Sequence, residues 1–457
     1  MPPHPQALFS LEALNERAND VVTHRDNAHL MSYFCPDRNN PNVVLQGLEV
    51  GFHVRPTTSR YTLAIIGGDG DIKIDDPDIS SYHCSFELQE RNMEEVMLQD
   101  VSPDNTTEPS GPTAMPFRPE HPHRRVLIDR NINRDFGIGG ADCDLYKFRI
   151  HWHKCDERIV RQCIDNRGGN PYHIRTVADE PPTSVSSLPF TPIRYSRRQK
   201  LGKGTFGQVW EVANADTGEH LAMKRVVRPP TQSEYATMIR EVDLLSLVSH
   251  RNIVELITSQ DANYGHFEIF MPVKTGSVQY LIEEEELFTK EPASVDPLLH
   301  QMLQALDCLD SRGIIHRDVK PENILYTPLP DGKYLYQLAD FGLANTVDRA
   351  QTWAGTERYM APELYLGTCL SQTTKMDIWS LYVTLAYAMN AYGFQEKSSG
   401  KPYWRILEIV KEVAKGDMLR ELRDMAIEEP DDRATAGDML EKLFGGEGRT
   451  TSQNRGR

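Results

Sequence analysis

Long apolar runs are missing from this chain. None reaches the roughly 18 residues that a membrane-crossing helix needs. The N-terminal stretch MPPHPQALFS lacks the basic-then-apolar order of a secretory signal. Both absences lead us to expect a protein inside the cell, in cytoplasm or nucleus, with no membrane partner. Positive charge is in deficit, because 50 Lys and Arg stand against 66 Asp and Glu, a formal net charge of −16. That argues against direct, broad binding to nucleic acid, while leaving room for a local basic patch. No internal repeat is present. The seven cysteines, Cys35, Cys84, Cys143, Cys155, Cys163, Cys308 and Cys369, are odd in number and irregularly spaced. They fit reduced thiols rather than a disulfide framework. His151, His153, Cys155 and Cys163 fall close together, but their spacing matches no standard zinc site, so ordinary strand and loop residues is the preferred reading.

What is present is enough for more than one core. A chain of 457 residues predicts two domains, each of roughly 100–250 residues. Residues 1–42 are punctuated by Pro and Asn and read as a loosely ordered leader. Within it FSLEALNERANDVV has helical spacing, with Ser10 as cap and Leu11, Leu14, Ala18 and Val21 on one face. From 43 to 153 short β runs alternate with turns: VVLQGLEVGFHV, YTLAII, DIKI, HCSFEL, EVMLQD, RRVLI, YKFRIHW. Such spacing predicts a β-sandwich. Residues 154–192, ending in the Pro- and Ser-rich VADEPPTSVSSLPFTP, read as a linker. Strand-like stretches then continue to Met271, and longer helical patterns follow, such as DPLLHQMLQALDCLDSRG. EEEE (283–286) reads as a solvated helix face, and 446–457 as a disordered tail.

The second half carries chemistry. LGKGTFGQVW (201–210) places Gly202, Gly204 and Gly207 as G-x-G-x-x-G. Glycines let a backbone approach a polyphosphate closely, although any tight turn uses them too. Lys224 follows Gly207 by seventeen residues and can pair with phosphate oxygens. Glu241, in the helical run IREVDLLSLVSH, can hold Lys224 in place. In IIHRDVKPENIL (314–325), Asp318 can accept a hydroxyl proton, Lys320 can steady a transferring phosphoryl group, and Asn323 can ligate a metal. Asp340 in LADFGLA offers a second metal ligand. Phosphoryl transfer needs these parts: a phosphate cradle, a cation on the phosphates, metal ligands and a positioned carboxylate.

In order and interval these motifs resemble the eukaryotic protein kinases over residues 195–445. The resemblance implies ATP and Mg2+ as cofactors and protein Ser/Thr hydroxyls as substrates. Leu201, Gly202, Lys203, Gly204 and Gly207 would form the loop over the ATP phosphates, and Lys224 would bind those phosphates while paired with Glu241. Val209 and Ala222 would lie above the adenine and Leu325 below it. Met271 would be the gatekeeper, with the hinge running from Pro272 to Lys274. Asp318 would be the catalytic base, Asn323 and Asp340 the magnesium ligands. Lys320, together with Thr356 bridging it to Asp318, marks the serine/threonine type. Glu363 of APE would pair with Arg433. Arg317 would receive a phosphate on the activation segment, at Thr346 or, nearer the substrate end, Thr352. Two departures touch the helical packing: Tyr382 stands where the family usually has glycine, and the stretch from Trp379 to Arg433 is short.

The β region resembles a forkhead-associated domain, a sandwich whose loops bind phosphothreonine. Ser80, His83, Asp100, Ser102, Asn105 and Thr107 match its loop pattern. Gly68 stands where that family has its phosphate-binding arginine, and Thr106 where it has glycine. Losing a charge-assisted partner of this kind costs about 2–5 kcal/mol of binding. Arg55, Arg60 and Lys73 are the candidates to replace it. Two readings stay open. Ser80 and Asn105 still contact a phosphothreonine partner, or the domain docks without phosphate and these residues brace its loops. The expected architecture is multidomain: an N-terminal all-β sandwich (43–153) followed by an α+β bilobal kinase fold (193–445). That order is similar to the DNA-damage checkpoint kinases, which implies stress signalling. A catalytically silent scaffold binding ATP and phosphorylated partners is the alternative.

Overall fold

The structure, a computed structural model, describes residues 1–36, 40, 42–54, 59–89, 94–119, 121, 123–166, 191–204, 207–232, 235–236, 238–239, 242, 246, 248–262, 265–341, 345–346, 356–366 and 372–451. Two compact units emerge: Met1–Lys200 with Trp210–Leu221, and Leu201–Val209 with Ala222–Arg457.

Among the described residues before 195 the first unit has eleven strands: β1 (Ala7–Ala13), β2 (Met31–Phe34), β3 (Leu45–Gly51), β4 (Thr62–Gly67), β5 (Ile72–Lys73), β6 (Cys84–Leu88), β7 (Val96–Asp100), β8 (Thr107–Ser110), β9 (Arg125–Ile128), β10 (Asp135–Ile138) and β11 (Tyr146–Trp152). They form two sheets, β2-β3-β1-β11-β10-β8 and β5-β4-β6-β7-β9. Alternation sends Phe9 and Leu11 of β1, and Phe148 and Ile150 of β11, into the core between them. There Phe9 meets Phe86 of the other sheet edge-on, with centroids 5.1 Å apart, and Phe86 meets Phe136 at 5.8 Å. Each β run named from the sequence contains a strand.

Three readings are corrected. Residues 1–42 are not a loose leader, because β1 lies inside the six-stranded sheet, paired with β3 on one side and β11 on the other. Residues taken as the start of a helix are strand, since pairing with β3 and β11 satisfies their backbone groups on both sides. The helix, α1, is confined to Glu16–Thr23 and is capped by Asn15, which accepts from the Ala18 N–H at 3.0 Å, not by Ser10. The expected linker begins with a second helix, α2 (Glu157–Asn166); residues 167–190 lie outside the described ones. His151 and His153 bond Glu12 and Ser10 on β1, and Cys155 bonds the Ala7 carbonyl, so these side chains serve strand packing.

The same unit includes residues that the change in composition assigns to the second domain. Arg198 donates to Glu95 at 2.6 Å and to Asp129 at 2.8 Å. His220 bridges Glu95 (2.8 Å) and Glu211 (2.6 Å). Met97, Leu127, Ile132, Ala213 and Ala215 form a small buried cluster beside them.

Beyond the sandwich a five-stranded sheet has the order β12-β13-β14-β16-β15, from β12 (Tyr195–Gly204), β13 (Gly207–Asn214), β14 (His220–Val227), β15 (Thr258–Ala262) and β16 (His266–Pro272). In the second unit come β17 (Gly276–Ser277), α3 (Val295–Asp310), β18 (Ile314–Ile315), β19 (Ile324–Pro328), β20 (Tyr334–Leu338), β21 (Asn345–Thr346), α4 (Lys375–Ala388), α5 (Tyr403–Lys415) and α6 (Ala436–Phe444). α4 is buried almost all round, which its largely apolar sequence allows. Part of the expected disordered tail is docked, since Thr450 and Thr451 donate backbone N–H groups to Asp307 of α3; residues 452–457 lie outside the described ones. Among the described residues no helix is long and apolar enough to cross a membrane.

Tyr382, the departure on α4, is fully buried and its hydroxyl has no partner among the described residues. An unpaired buried hydroxyl costs stability. Tyr382→Phe is therefore expected to leave the unfolding free energy, read by denaturant titration, unchanged or to raise it by about 1 kcal/mol at most; a clear fall would show that the hydroxyl is satisfied.

His220 generates a pH dependence. Its bond to Glu95 raises its pKa above 6.5, outweighing burial, with Glu211 adding to the rise. Its stabilising contribution is complete below that ordinary value and is lost as pH rises through the higher folded one. Burial works against ionised Glu95, but the bonds from His220 and Arg198 outweigh it and hold the carboxyl below 4.5, so the glutamate contributes throughout that interval. Melting temperature is expected to fall as pH rises above about 6.5, through the raised pKa of His220. His220→Gln should remove that part of the slope; an identical slope in both proteins would refute the assignment.

Candidate active site

The centre of the second unit is the short turn after β18. Asp377, near the start of α4, accepts the His316 N–H and the Arg317 N–H, both at 2.8 Å. Those two bonds hold Arg317 at φ +73°, a left-handed backbone that costs a non-glycine residue energy. Burial pushes the Asp377 carboxyl up to about 7, against the lowering effect of the two N–H donors. His316 is buried as well, and burial pushes its imidazole well below its ordinary range. Its Nε2 lies 3.0 Å from the Ala339 carbonyl while Nδ1 accepts the Asp318 N–H, so the neutral ring fixes the next residue.

Asp318 is the result of that scaffolding. Its Oδ1 accepts the Thr356 hydroxyl at 2.8 Å and the Thr356 N–H at 3.1 Å. Its Oδ2 accepts Lys320 Nζ at 2.7 Å and Asn323 Nδ2 at 2.9 Å. Lys320 also donates to the Thr356 hydroxyl at 2.6 Å. The structure thus brings Asp318, Lys320, Asn323 and Thr356 together. Sequence reasoning did not single out Asp377, although a carboxylate entering an apolar run, DIWSLYVTL, was the available signal.

Among the residues expected to hold a nucleotide, Ala222 and Lys224 share one face of β14 and are both buried. Lys224 pairs with the Asp340 carboxylate. Its expected partner Glu241 lies outside the described residues. Asp340 has φ +62°, again left-handed. Val209, Met271, Pro272, Lys274 and Leu325 are half-buried, whereas Leu201 is exposed. Partial burial lowers the Lys274 pKa. Gly207 is required by the fold, since a Cβ there would fall 2.1 Å from the Arg225 carbonyl oxygen. At Gly202 a Cβ would meet nothing within 4 Å, so packing among the described residues does not demand glycine there. Lys203 and Gly204 belong to β12. Thr346 pairs through its backbone with Ile314 of β18; Thr352 lies outside the described residues. Glu363 and Arg433 form a two-pronged pair at 2.7 and 2.9 Å, with Arg433 also donating to three carbonyls.

The protein kinase domain model matches residues 195–445, more than half of the chain. This chain belongs to the protein kinase family. The kinase is 34% identical over 225 residues to mitogen-activated protein kinase kinase kinase 3 of Arabidopsis thaliana, covering 46% of this chain and 32% of that protein. It is 30% identical over 277 residues to the CTD kinase subunit alpha of Schizosaccharomyces pombe, covering 57% and 45%. It is 34% identical over 188 residues to the serine/threonine-protein kinase DCLK1 of Rattus norvegicus, covering 41% and 42%. The matched region thus spans less than half the length of these relatives.

The sandwich of this kinase has a braced loop cluster. Asp100 accepts the Ser102 hydroxyl (2.7 Å) and N–H (3.0 Å), and the Ser102 Oγ accepts the Thr106 N–H (2.9 Å). His83, buried, reaches the Thr106 carbonyl (3.3 Å) and accepts the Ser80 N–H (3.3 Å). Ser80 is half-buried and Asn105 exposed, with φ +54°. Arg124 reaches this loop too, but it is matched by Asp100 (3.0 Å) and Glu108 (3.2 Å). Of the three substitute cations, Arg55 lies outside the described residues. Arg60 precedes β4 and stacks on Tyr61, at the far end from Gly68. Lys73 is exposed and pairs in register with Gly67. At Gly68 an added Cβ would come no closer than 3.8 Å to any neighbour, and its φ is not left-handed. A side chain can therefore start there without a backbone clash. Gly68→Arg is expected to raise affinity for phosphothreonine peptides over their unphosphorylated twins by about tenfold or more, read by fluorescence anisotropy; no gain would mean that the loop lacks the shape to read phosphate.

Proposed function

We propose that the protein is an active serine/threonine kinase that transfers the γ-phosphoryl group of ATP to Ser or Thr hydroxyls of other proteins. The observation that carries this reading is the junction of Asp318, Lys320, Thr356 and Asn323 on one carboxylate. Asp318 orients the substrate hydroxyl and takes its proton. Lys320, within hydrogen-bond reach of Asp318, balances charge on the transferring group. Thr356 ties the loop that bears the substrate to both. Lys224 holds ATP phosphates under the glycine loop, and open space at Gly202 supports close approach of a polyphosphate there. Asn323 and Asp340 supply hard oxygen donors that fit Mg2+, whose charge, when bound, neutralises the phosphates. Arg317 receives a phosphate on the activation segment, Thr352 being the preferred site over Thr346.

The sandwich recruits a partner or substrate. Its order before the kinase domain supports a place in intracellular stress signalling, in nucleus or cytoplasm. The competing reading is a silent scaffold that binds ATP without turnover, favoured if Lys224 keeps its pairing with Asp340 when ATP is present.

The test is transfer of labelled phosphate from Mg-ATP to a Ser/Thr peptide library by the full chain. Asp318→Asn should lower the rate by about a hundredfold or more, and Asp340→Ala should abolish it. ATP binding without transfer under any condition would establish the scaffold instead.

A further inference from the structure

A pocket of about 510 Å³ opens on the sandwich at the start of β10. Its lining includes Arg130, Arg134 and Arg149, with one carboxylate, Asp135, and the hydroxyl residues Ser110 and Thr113. Three guanidinium groups against one carboxylate make it locally positive, in a chain whose formal net charge is −16. The strands set this arrangement. Asp135 faces Arg149 across β10 and β11 and takes it in a fork at 2.8 and 2.7 Å. Arg130 is anchored on the Trp152 and His153 carbonyls, uncharged partners that leave its charge unbalanced. Arg134 is exposed, and its guanidinium has no hydrogen bond or ion pair among the described residues. Gly111, at φ +87°, lets the turn after β8 come close to Asp135 and form the facing wall.

The pocket is separate from the braced loops. In the register of β8 against β10, Thr107 pairs with Ile138 next to those loops, and Ser110 pairs with Asp135 at the other end. Four residues of strand put roughly 10 Å between the two ends. At the loop end the guanidinium of Arg124 is matched by carboxylates. At the pocket end one arginine is unmatched and another is held only by carbonyls.

We propose that this arginine-lined pocket binds the phosphoryl group of a phosphorylated Ser or Thr side chain in a partner peptide. Guanidinium forks match phosphate oxygens in geometry and charge. The volume exceeds what one phosphate fills and accepts the side chain that carries it. The acidic balance of the chain repels long polyanions such as nucleic acid or an anionic membrane, whereas a single phosphoryl group responds to the local field. The proposal rests on the recruitment role given to the sandwich above, and it moves the contact from the loops at Ser80 and Asn105 to the opposite end of β8 and β10.

The test uses the full chain without ATP. A degenerate phosphoserine/phosphothreonine peptide library, its unphosphorylated twin and inorganic phosphate are each titrated against the wild type, Arg134→Ala, Arg134→Lys and Asn105→Ala. Arg134 is exposed and has no side-chain partner among the described residues, so its replacement is expected to leave the fold intact. Phosphate-dependent capture should fall by about tenfold or more in Arg134→Ala, recover in part in Arg134→Lys, and stay unchanged in Asn105→Ala. Capture lost in Asn105→Ala and kept in Arg134→Ala would overturn the pocket while preserving recruitment. Equal or no capture of the two libraries would overturn both. Inorganic phosphate binding that depends on Arg134, without peptide capture, would make this a free-anion site and overturn the peptide assignment.

Discussion

The second unit depends on one buried carboxylate, Asp377. Its two hydrogen bonds to successive backbone N–H groups hold Arg317 in a left-handed conformation. Without them that residue would relax toward ordinary φ values, and Asp318 would turn away from Thr356 and Lys320. The cost of keeping a carboxyl in an apolar helix, visible in its upward pKa displacement, is offset by a fixed direction for the Asp318 carboxylate. His316 acts in the same sense from the other side, as a neutral ring between the Ala339 carbonyl and the Asp318 N–H.

The sandwich uses a similar device for another purpose. Asp100, Ser102 and His83 draw the loop ends of both sheets together through short polar bonds. These residues match the phosphothreonine-reading pattern, yet their contacts are with one another. Bracing these loops and charging them are thus separate matters: the bracing bonds are complete without an arginine at position 68. Gly68 illustrates the separation, since the position has room for a side chain and does not need glycine for its backbone.

The protein kinase family was legible because its motifs put particular residue types at fixed intervals, and Asp318, Lys320, Asn323 and Thr356 from separate motifs meet in space. The sandwich strands were legible from period-two burial, as in YKFRIHW. The N-terminal strand was not. Ala7–Ala13 contains Leu8 and Glu12 beside Phe9 and Leu11, a mixture that fits a helix stripe as well as a strand. Only pairing with β3 and β11, both far along the chain, decides between them. Unit boundaries were also hidden. Arg198 and His220 sit in segments that read as the second domain, and nothing local announces that Glu95 and Asp129 are their partners.

Arginine placement separates structural from available charge. Arg433 is fully buried, and its carboxylate and three carbonyls account for its donors. Removing such a partner leaves a buried charge exposed to low dielectric, so this pair is part of the fold. Arg198 lies between two carboxylates and Arg124 between two more. In a chain with 66 acidic residues to 50 basic ones, a guanidinium on the surface has carboxylates in ample supply. Among the described residues Arg134 nonetheless stands without one, beside Arg130, which is held there by neutral oxygens. Like charges held side by side repel, so such a pair raises the local potential and favours an anion over a cation there.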